Sequence, residues 1–311
     1  MMNRREPDPE SQIAVLAGGQ SPERAVSLES GRAVFEALTG AGYRVEMLDP
    51  AETVFIDRLR GGGFARAFNI LHGGAGEDGS IQGLLEILGI PYTGSGVLGS
   101  ALSCDKNRAK TLWKALGLPT PAGWLVEPDV IEPPPFPPPW CVKPVDQGSS
   151  VGVSRVETRD GLELAVDTAR AYSEWVLIEP WIAGGEYTVG FVGEKILPSI
   201  RIETPRAFYD YVAKYEDSAT RYHCPSGLSA RDEAALGSLA WRAARALGVS
   251  GWGRVDFILN DRLEPYLIEV NVAPGMTGHS LVPMAARAVG WTFTELCRRI
   301  LAEARGGGLD G

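Results

Sequence analysis

Glu269 and Asn271 stand two residues apart at the end of the apolar run Leu267-Ile-Glu-Val-Asn271. Residues two apart on a strand face the same way. A carboxylate and an amide oxygen on one face make a hard-oxygen pair suited to Mg²⁺. The turn Pro274-Gly275 follows directly, with backbone amides free to face whatever the metal holds. The run Arg254-Val-Asp-Phe257 puts Arg254 and Asp256 on one face of a second strand. The two runs are expected to form a hairpin around Asn260 to Glu264. If the Asp256 face meets Glu269, two carboxylates, an amide and a guanidinium converge, the set that magnesium and substrate phosphates need. Singly, each residue fits an ion-pair cluster on a solvated sheet face equally well; the combination with the turn points to phosphate chemistry.

Three further clusters carry chemical groups. The loop Gly148-Ser-Ser-Val-Gly152 is small enough for its amides to approach phosphate oxygens, and Lys143 and Lys106 supply charge at strand ends. No GxxxxGK[ST] occurs, so this is not a Walker loop. His72 precedes Gly73-Gly-Ala-Gly-Glu-Asp-Gly79, a strand-to-helix loop where Asp78 and Ser80 can cap the helix and an anion can sit. Tyr209-Asp-Tyr-Val-Ala-Lys-Tyr215 reads as a polar aromatic segment. Core packing would account for Tyr209 or Tyr211, while Lys214 and Tyr215 are better placed to act over a site as a lid.

Several elements must position these groups. Ile13–Leu16, Arg44–Leu48 and Phe68–Leu71 read as short strands. They alternate with a helix over Leu28–Leu38, capped by Ser27, and another through Ile81, Leu84, Leu85 and Leu88. Alternation of this kind predicts a parallel α/β layer, with ligands at the C-terminal strand ends. A helix over Asn107–Leu116 leads to a proline-rich stretch, 127–139, that serves as a stiff surface connection. Beyond it, Trp140–Pro144, Trp175–Trp181, Tyr187–Val192 and Ile196–Glu203 read as strands of largely antiparallel sheets. Helices are expected at 162–172, through Leu236 to Leu247, and at the end through Phe293, Leu296 and Ile300.

The bulk properties bound the rest. A chain of 311 residues suffices for about two or three domains. Its 39 acidic and 30 basic residues give a net charge of −9, which argues against nucleic acid or an anionic membrane as main partner. Cys104, Cys141, Cys224 and Cys297 form no CxxC pair and read as reduced thiols of a cytoplasmic protein. The polar start lacks a signal-peptide core, and no run approaches the ~20 apolar residues that span a bilayer.

Taken in order, Gly18-Gly-Gln-Ser-Pro-Glu-Arg-Ala-Val-Ser-Leu-Glu-Ser-Gly31, Leu71-His-Gly-Gly-Ala-Gly-Glu-Asp-Gly-Ser-Ile-Gln-Gly83, Asp105-Lys106, Val142-Lys-Pro-Val-Asp-Gln-Gly-Ser-Ser-Val-Gly152, Phe208–Tyr215 and Glu269–Leu281 resemble the D-alanine–D-alanine ligase family of ATP-grasp enzymes. The likeness runs from Val15 to about Leu301. It implies an N-terminal parallel α/β substrate-binding domain over 1–104, with 1–11 as a tail. A two-lobed ATP-grasp domain with largely antiparallel sheets would follow over 105–302, divided at 182/183, then a tail over 303–311. It also implies a reaction, the ATP-driven joining of two D-alanines through an acyl phosphate for peptidoglycan precursor synthesis, in a homodimer.

The resemblance assigns roles by position. Asp256, Glu269 and Asn271 would hold two Mg²⁺, or Mn²⁺, on the ATP phosphates. Lys106, Lys143, Lys214, Ser149 and Ser150 would surround those phosphates. Glu179 and the backbone of Trp181 and Ile182 would meet adenine, and Glu186 the ribose. Glu23 would hold the first D-alanine ammonium, with His72 near its carboxylate, and Ser280 and Leu281 would receive the second D-alanine. Arg254 and the Gly275 amide would form the oxyanion hole. Ser149 and Tyr215 would join Glu23 in a group that shields the acyl phosphate from water. A tyrosine at 215 favours an amine nucleophile over D-lactate. Ala25, where the family often has glutamate, and Val272, where threonine is frequent, depart from the pattern.

Two other classes are weaker. A non-catalytic ATP-grasp module should have lost metal ligands or the arginine, yet all four residues stand. A dinucleotide oxidoreductase needs a GxGxxG turn after its first strand with an acidic residue downstream, and the loop after Ile13–Leu16, Ala17-Gly-Gly-Gln-Ser21, does not make that turn.

Overall fold

The computed structural model describes residues 7–8, 10–127, 132–204 and 219–306. The N-terminal layer runs β1 (Gln12–Leu16), α1 (Arg24–Gly40), β2 (Arg44–Leu48), α2 (Phe55–Gly61), β3 (Arg66–Asn69) and α3 (Ser80–Ile87). Its three strands are parallel in the order β2-β1-β3. Central β1 is buried on both faces, as parallel strands are. Ile13 and Val15 pack with Val34 and Leu38 of α1, while Ala14 and Leu16 pack with Phe55, Leu59 and Leu85 of α2 and α3.

Two helices follow, α4 (Val97–Cys104) and α5 (Lys106–Ala115), joined at Asp105, whose side chain caps α5 by accepting from the Arg108 amide at 2.8 Å. Next come β4 (Trp124–Val126), β5 (Trp140–Pro144), β6 (Ser154–Val156), α6 (Leu162–Arg170) and β7 (Val176–Pro180). These strands form an antiparallel sheet, β4-β7-β5-β6, with α6 against it. The described part of the proline-rich stretch connects β4 to β5, as expected, and is tied down by indole bonds from Trp124 to the Glu132 carbonyl and from Trp140 to the Phe136 carbonyl.

The last part comprises β8 (Gly185–Val192), β9 (Lys195–Ile196), β10 (Ile200–Glu203), β11 (Arg221–His223), α7 (Ala230–Ala246), β12 (Trp252–Leu259), β13 (Pro265–Asn271), α8 (Leu281–Ala288) and α9 (Phe293–Ala302). Its antiparallel sheet has the order β11-β10-β8-β12-β13, with β9 paired to β8. The mixed fold therefore matches the expected class: a parallel layer followed by two antiparallel sheets. Fully buried Trp252 of β12 packs on Phe68 of β3, ring centroids 6.2 Å apart, and joins the third sheet to the first. Its truncation to alanine should cost about 3–5 kcal/mol.

Several local expectations are corrected. The first helix starts at Arg24, not Leu28. Ser27 lies inside it and is no cap: its hydroxyl accepts from the Gly18 amide at 2.9 Å and donates to the Ile70 carbonyl at 2.8 Å. The single strand expected over Ile196–Glu203 is two, β9 and β10. Pro198 has no amide for the ladder, and the Ser199 amide goes to Glu233 at 2.6 Å. Helices α2, α4 and α8 had no sequence counterpart. The expected C-terminal tail begins with Arg305 bonded both ways to the Tyr92 backbone. Likewise α9 packs on α1, so the N-terminal core includes Leu296, Ile300 and Leu301 from beyond residue 105.

Candidate active site

The three sheets enclose a cavity of about 620 Å³, within the usual range for a small-molecule site. Its wall includes Glu23, His72, Lys106, Ser149, Arg254, Glu269, Asn271, Gly275, Ser280 and Leu281, residues drawn together from distant parts of the chain. Lys214 and Tyr215 lie outside the described residues, as do Tyr209 and Tyr211.

The hairpin of β12 and β13 pairs Asp256 with Glu269 and Arg254 with Asn271. Below that point the register shifts, and Phe257 pairs with Leu267, leaving Ile268 as an extra residue. This bulge matters. Leu267 is buried in the core, and strict alternation would send Glu269 and Asn271 the same way. One extra residue turns both toward the cavity while Leu267 stays inside. Asp256, Glu269 and Asn271 thus share a half-buried face as three hard-oxygen donors, a set that fits magnesium. Among the described residues no cluster of three His, Cys, Asp or Glu side chains could hold a metal, so an amide must complete this donor set.

Each of these donors has a partner within the protein. Arg254 lies along Asp256, Nε to Oδ1 at 2.9 Å and Nη2 to Oδ2 at 3.0 Å. Thr188 of β8 donates to Asp256 Oδ1 at 2.6 Å. Lys106 Nζ stands 3.2 Å from Glu269 Oε2 and donates to the Gln147 carbonyl at 2.6 Å. Asn271 Oδ1 accepts from the Ala273 amide at 3.0 Å, which starts the turn toward Gly275.

The Gly148 loop meets the N-terminal layer here. The Ser149 hydroxyl hydrogen-bonds Glu23 Oε1. Ser149 and Ser150 both lie in the left-handed region, at φ 51° and 58°, a conformation costly for residues with a Cβ. Strain of this kind, next to lysine and an open cavity, is what a preformed anion cradle requires.

His72 is buried, with Nε2 3.4 Å from Ser30 Oγ and Nδ1 3.9 Å from Glu77 Oε1. Ser30 Oγ also accepts from the Met276 amide at 3.1 Å, so one hydroxyl links His72 to the turn beside Gly275. The sequence reading missed Ser30. Its signal was present: Ser27 and Ser30 are two serines at helical spacing on the face of α1 that is otherwise core. Of the two residues expected to cap α3, only Asp78 meets a helix amide, accepting from Ser80 N–H at 2.8 Å; Ser80 is itself the first helical residue, and Gly79 at the N-cap has no side-chain bond to offer.

Ser280 precedes α8, and its hydroxyl accepts from the Thr277 amide at 2.9 Å. A Cβ on Gly275 would fall 2.9 Å from that hydroxyl, which explains glycine at this turn. Ser280 and Leu281, at the start of α8, line the cavity, and a helix N-terminus favours a carboxylate.

Lys143, Ser150, Glu179, Trp181, Ile182, Glu186 and Asp256 do not line this cavity. Glu179 of β7 is buried between two ammonium groups, Lys110 at 2.7 Å and Lys143 at 2.5 Å. Burial alone would raise the Glu179 carboxyl, but the two lysines outweigh it and hold it below the usual carboxylate range. Lys143 is held above its ordinary value: burial opposes this, and Glu179 overrides. The Trp181 amide donates to the Pro139 carbonyl at 2.9 Å, and its ring carries Arg155 at 4.8 Å.

Comparison with known proteins gives a consistent result. The family profile "D-ala D-ala ligase C-terminus" matches residues 131–302, and "D-ala D-ala ligase N-terminus" matches 58–95. A D-alanine–D-alanine ligase of Alkalilimnicola ehrlichii is 52% identical over 296 residues, 94% of each chain. The Bacillus anthracis D-alanine–D-alanine ligase complexed with ATP superposes with a TM-score of 0.82 at 33% identity, covering 94% of this chain and 96% of that one. The VanG D-Ala:D-Ser ligase of Enterococcus faecalis also superposes at 0.82, with 27% identity over 94% of this chain and 98% of its own.

Proposed function

The chain belongs to the D-alanine–D-alanine ligase family, and from that premise we propose that the residues around its cavity join two D-alanines through an acyl phosphate. The protein is an ATP-dependent ligase of cell-wall synthesis. What carries the assignment is convergence: Glu23 bonded to Ser149, Glu269 beside Lys106, Ser280 at a helix start and Arg254 all line one cavity, with Asp256 behind it as the partner of Arg254.

Asp256, Glu269 and Asn271 would hold two Mg²⁺, or Mn²⁺, whose charge would offset that of the ATP phosphates. Lys106 and Lys143, with Lys214 from outside the described residues, add fixed positive charge around the phosphates. The amides of Ser149 and Ser150 cradle the phosphate oxygens. Glu179 and the Trp181–Ile182 backbone meet the base, and Glu186 the ribose.

Glu23 takes the ammonium of the first D-alanine, and His72 stands near its carboxylate, which attacks the terminal phosphorus and releases ADP. The second D-alanine docks its carboxylate on Ser280 and the Leu281 amide. Its amine attacks the acyl carbon, and Arg254 with the Gly275 amide stabilises the oxyanion. Collapse expels phosphate and leaves the dipeptide. Tyr215 would close with Ser149 and Glu23 over the acyl phosphate and favour an amine over a hydroxyl nucleophile. The division of labour follows the proposed boundaries: 1–104 for the first substrate, 105–182 and 183–302 for the two lobes around ATP.

The deciding experiment is product mass after incubation with ATP, Mg²⁺ and D-alanine, repeated with D-serine and D-lactate as second substrate. Absence of D-alanyl-D-alanine above a no-enzyme control overturns the proposal. A homodimer is the proposed assembly, supported by an apolar face where Ile87 of α3 and Val97 and Leu98 of α4 are 86%, 39% and 68% exposed. Light scattering on wild type and Leu98→Glu tests it: dimer for the first and monomer for the second supports the face, and a monomeric wild type refutes it.

A further inference from the structure

Lys110 is a buried lysine to which the ligation assigns no step. It sits one helical turn after Lys106 on α5, so the two ammonium groups leave the same side of the helix. Lys106 reaches Glu269 in the cavity. Lys110 points between the second and third sheets and is only 4% exposed. Its ammonium forms an ion pair with Glu179 Oε1 of β7 at 2.7 Å and donates to the Leu267 carbonyl of β13 and to Thr120 Oγ1, each at 3.1 Å. Thr120 in turn donates to the same Leu267 carbonyl at 2.9 Å.

An ammonium buried against these three groups is not placed to bind a nucleotide itself. It can fix the groups that do. Glu179 shares its other oxygen with Lys143, at 2.5 Å, and the Leu267 carbonyl lies at the bulge that aims Glu269 into the cavity. We propose that Lys110 is a positioning residue for the nucleotide: it ties Glu179 on one sheet to Leu267 on the other, and so fixes the separation and register of the two sheets that clasp ATP. Without the tie, Glu179 has only Lys143 as cation, and the ammonium meant for phosphate is drawn into neutralising a buried carboxylate. Removing one member of a buried charged network leaves the rest badly compensated. The inference rests on ATP binding between these sheets.

The titration of Lys110 offers a readout that a packing role would not give. Burial pushes it down to about 8, with Glu179 acting against that shift and Lys143 and Cys141 as the other titratable neighbours. Above that pH the ammonium is lost, and the tie loses its charge.

The test uses the full-length enzyme with Lys110→Met, which keeps the length and removes the charge. The expected result is a KM for ATP at least tenfold higher, with the KM for D-alanine within twofold. Wild-type kcat/KM for ATP should fall above about pH 8, and that limb should be absent in the variant. Thr120→Val removes another member of the tie while keeping both charges and serves if the single variant does not fold; it should show a selective, smaller loss of ATP affinity. A folded variant with unchanged KM for ATP, or with both KM values raised equally and the alkaline limb retained, overturns the proposal. If wild type itself neither binds ATP nor forms dipeptide, the parent reading fails instead.

Discussion

Ser149 allows its hydrogen bond and its backbone strain to be measured apart. Its hydroxyl bonds to Glu23, and its φ of 51° is left-handed. Replacing it with alanine removes the bond and keeps the strain, while glycine removes both. A hydrogen bond to a charged acceptor contributes about 1.5–3 kcal/mol, and partial solvent access puts this one near the lower value. Left-handed backbone costs a residue with a Cβ about 1–2 kcal/mol relative to glycine. Ser149→Ala should therefore lose about 1.5 kcal/mol and Ser149→Gly about 0.5 or less. For a chain of this size that is a Tm difference of about 2 °C between the variants, with glycine the higher. Activity should not follow stability. Both variants leave Glu23 without its partner, so kcat/KM for D-alanine should fall about tenfold in each, the rate equivalent of 1.4 kcal/mol. Calorimetry gives the Tm values and an ADP-release assay gives the rates. A Ser149→Gly variant less stable than Ser149→Ala refutes the strain assignment, and a Ser149→Ala variant within threefold of wild-type rate refutes the role of the bond.

Glu269→Gln keeps the shape of a proposed metal ligand and removes its charge; kcat should drop by about two orders of magnitude, the scale of a lost electrostatic group, with an unchanged circular-dichroism spectrum. Near wild-type turnover would show that the carboxylate holds no metal. Arg254→Met should lower kcat about 10²–10³-fold with little change in KM for ATP, and a selective rise in that KM would move Arg254 from the oxyanion to the nucleotide. At Asp49, burial favours the neutral acid, but the Arg24 bond and the Ala51 and Gly19 amides outweigh it and hold the carboxyl below its ordinary 3.8. A depressed carboxylate contributes stability that is full above the unfolded value and lost as pH falls through the folded one. Asp49→Asn should thus lower Tm at pH 7 and lose that deficit below pH 4, and a deficit constant with pH would exclude the ionic contribution.

The sequence made some elements plain and hid others for physical reasons. Ile13–Leu16 and Arg254–Leu259 were legible because apolar runs and period-two alternation report burial directly. Helix α4 was not, because its amphipathicity is inverted. It buries Gly99, Ser100 and Ser103 and exposes Val97 and Leu98. A Cβ on Gly99 would come within 2.7 Å of the Gly248 carbonyl, so close approach, not hydrophobicity, selects the inner face. The bulge at Ile268 was equally invisible, since register shifts leave no mark in composition. Glu269 and Asn271 were found because residues beyond a bulge still alternate with one another. Lys110 escaped notice because a lysine on a charged helix reads as solvated, and only the fold reveals that its end is buried against Glu179.

The acidic groups of the site have partners within the protein. Asp256 pairs with Arg254, Glu269 with Lys106 and Glu179 with Lys143, and Glu23 accepts from the Ser149 hydroxyl. Half-buried charges would be costly if left alone, so the pairs let the fold form before any ligand arrives. Binding is then an exchange. On the proposed assignment, a cation taken up by Asp256 and Glu269 would compete with Arg254 and Lys106 for the same oxygens and would release the two basic groups proposed for oxyanion and phosphate. Metal and nucleotide would then assist one another through residues of the protein, and linkage would make that assistance equal in both directions. The same logic accounts for Arg254 beside Asp256 on β12 and Lys106 of α5 beside Glu269 on β13: each opposite charge would keep its neighbour in place until substrate supplied a better partner.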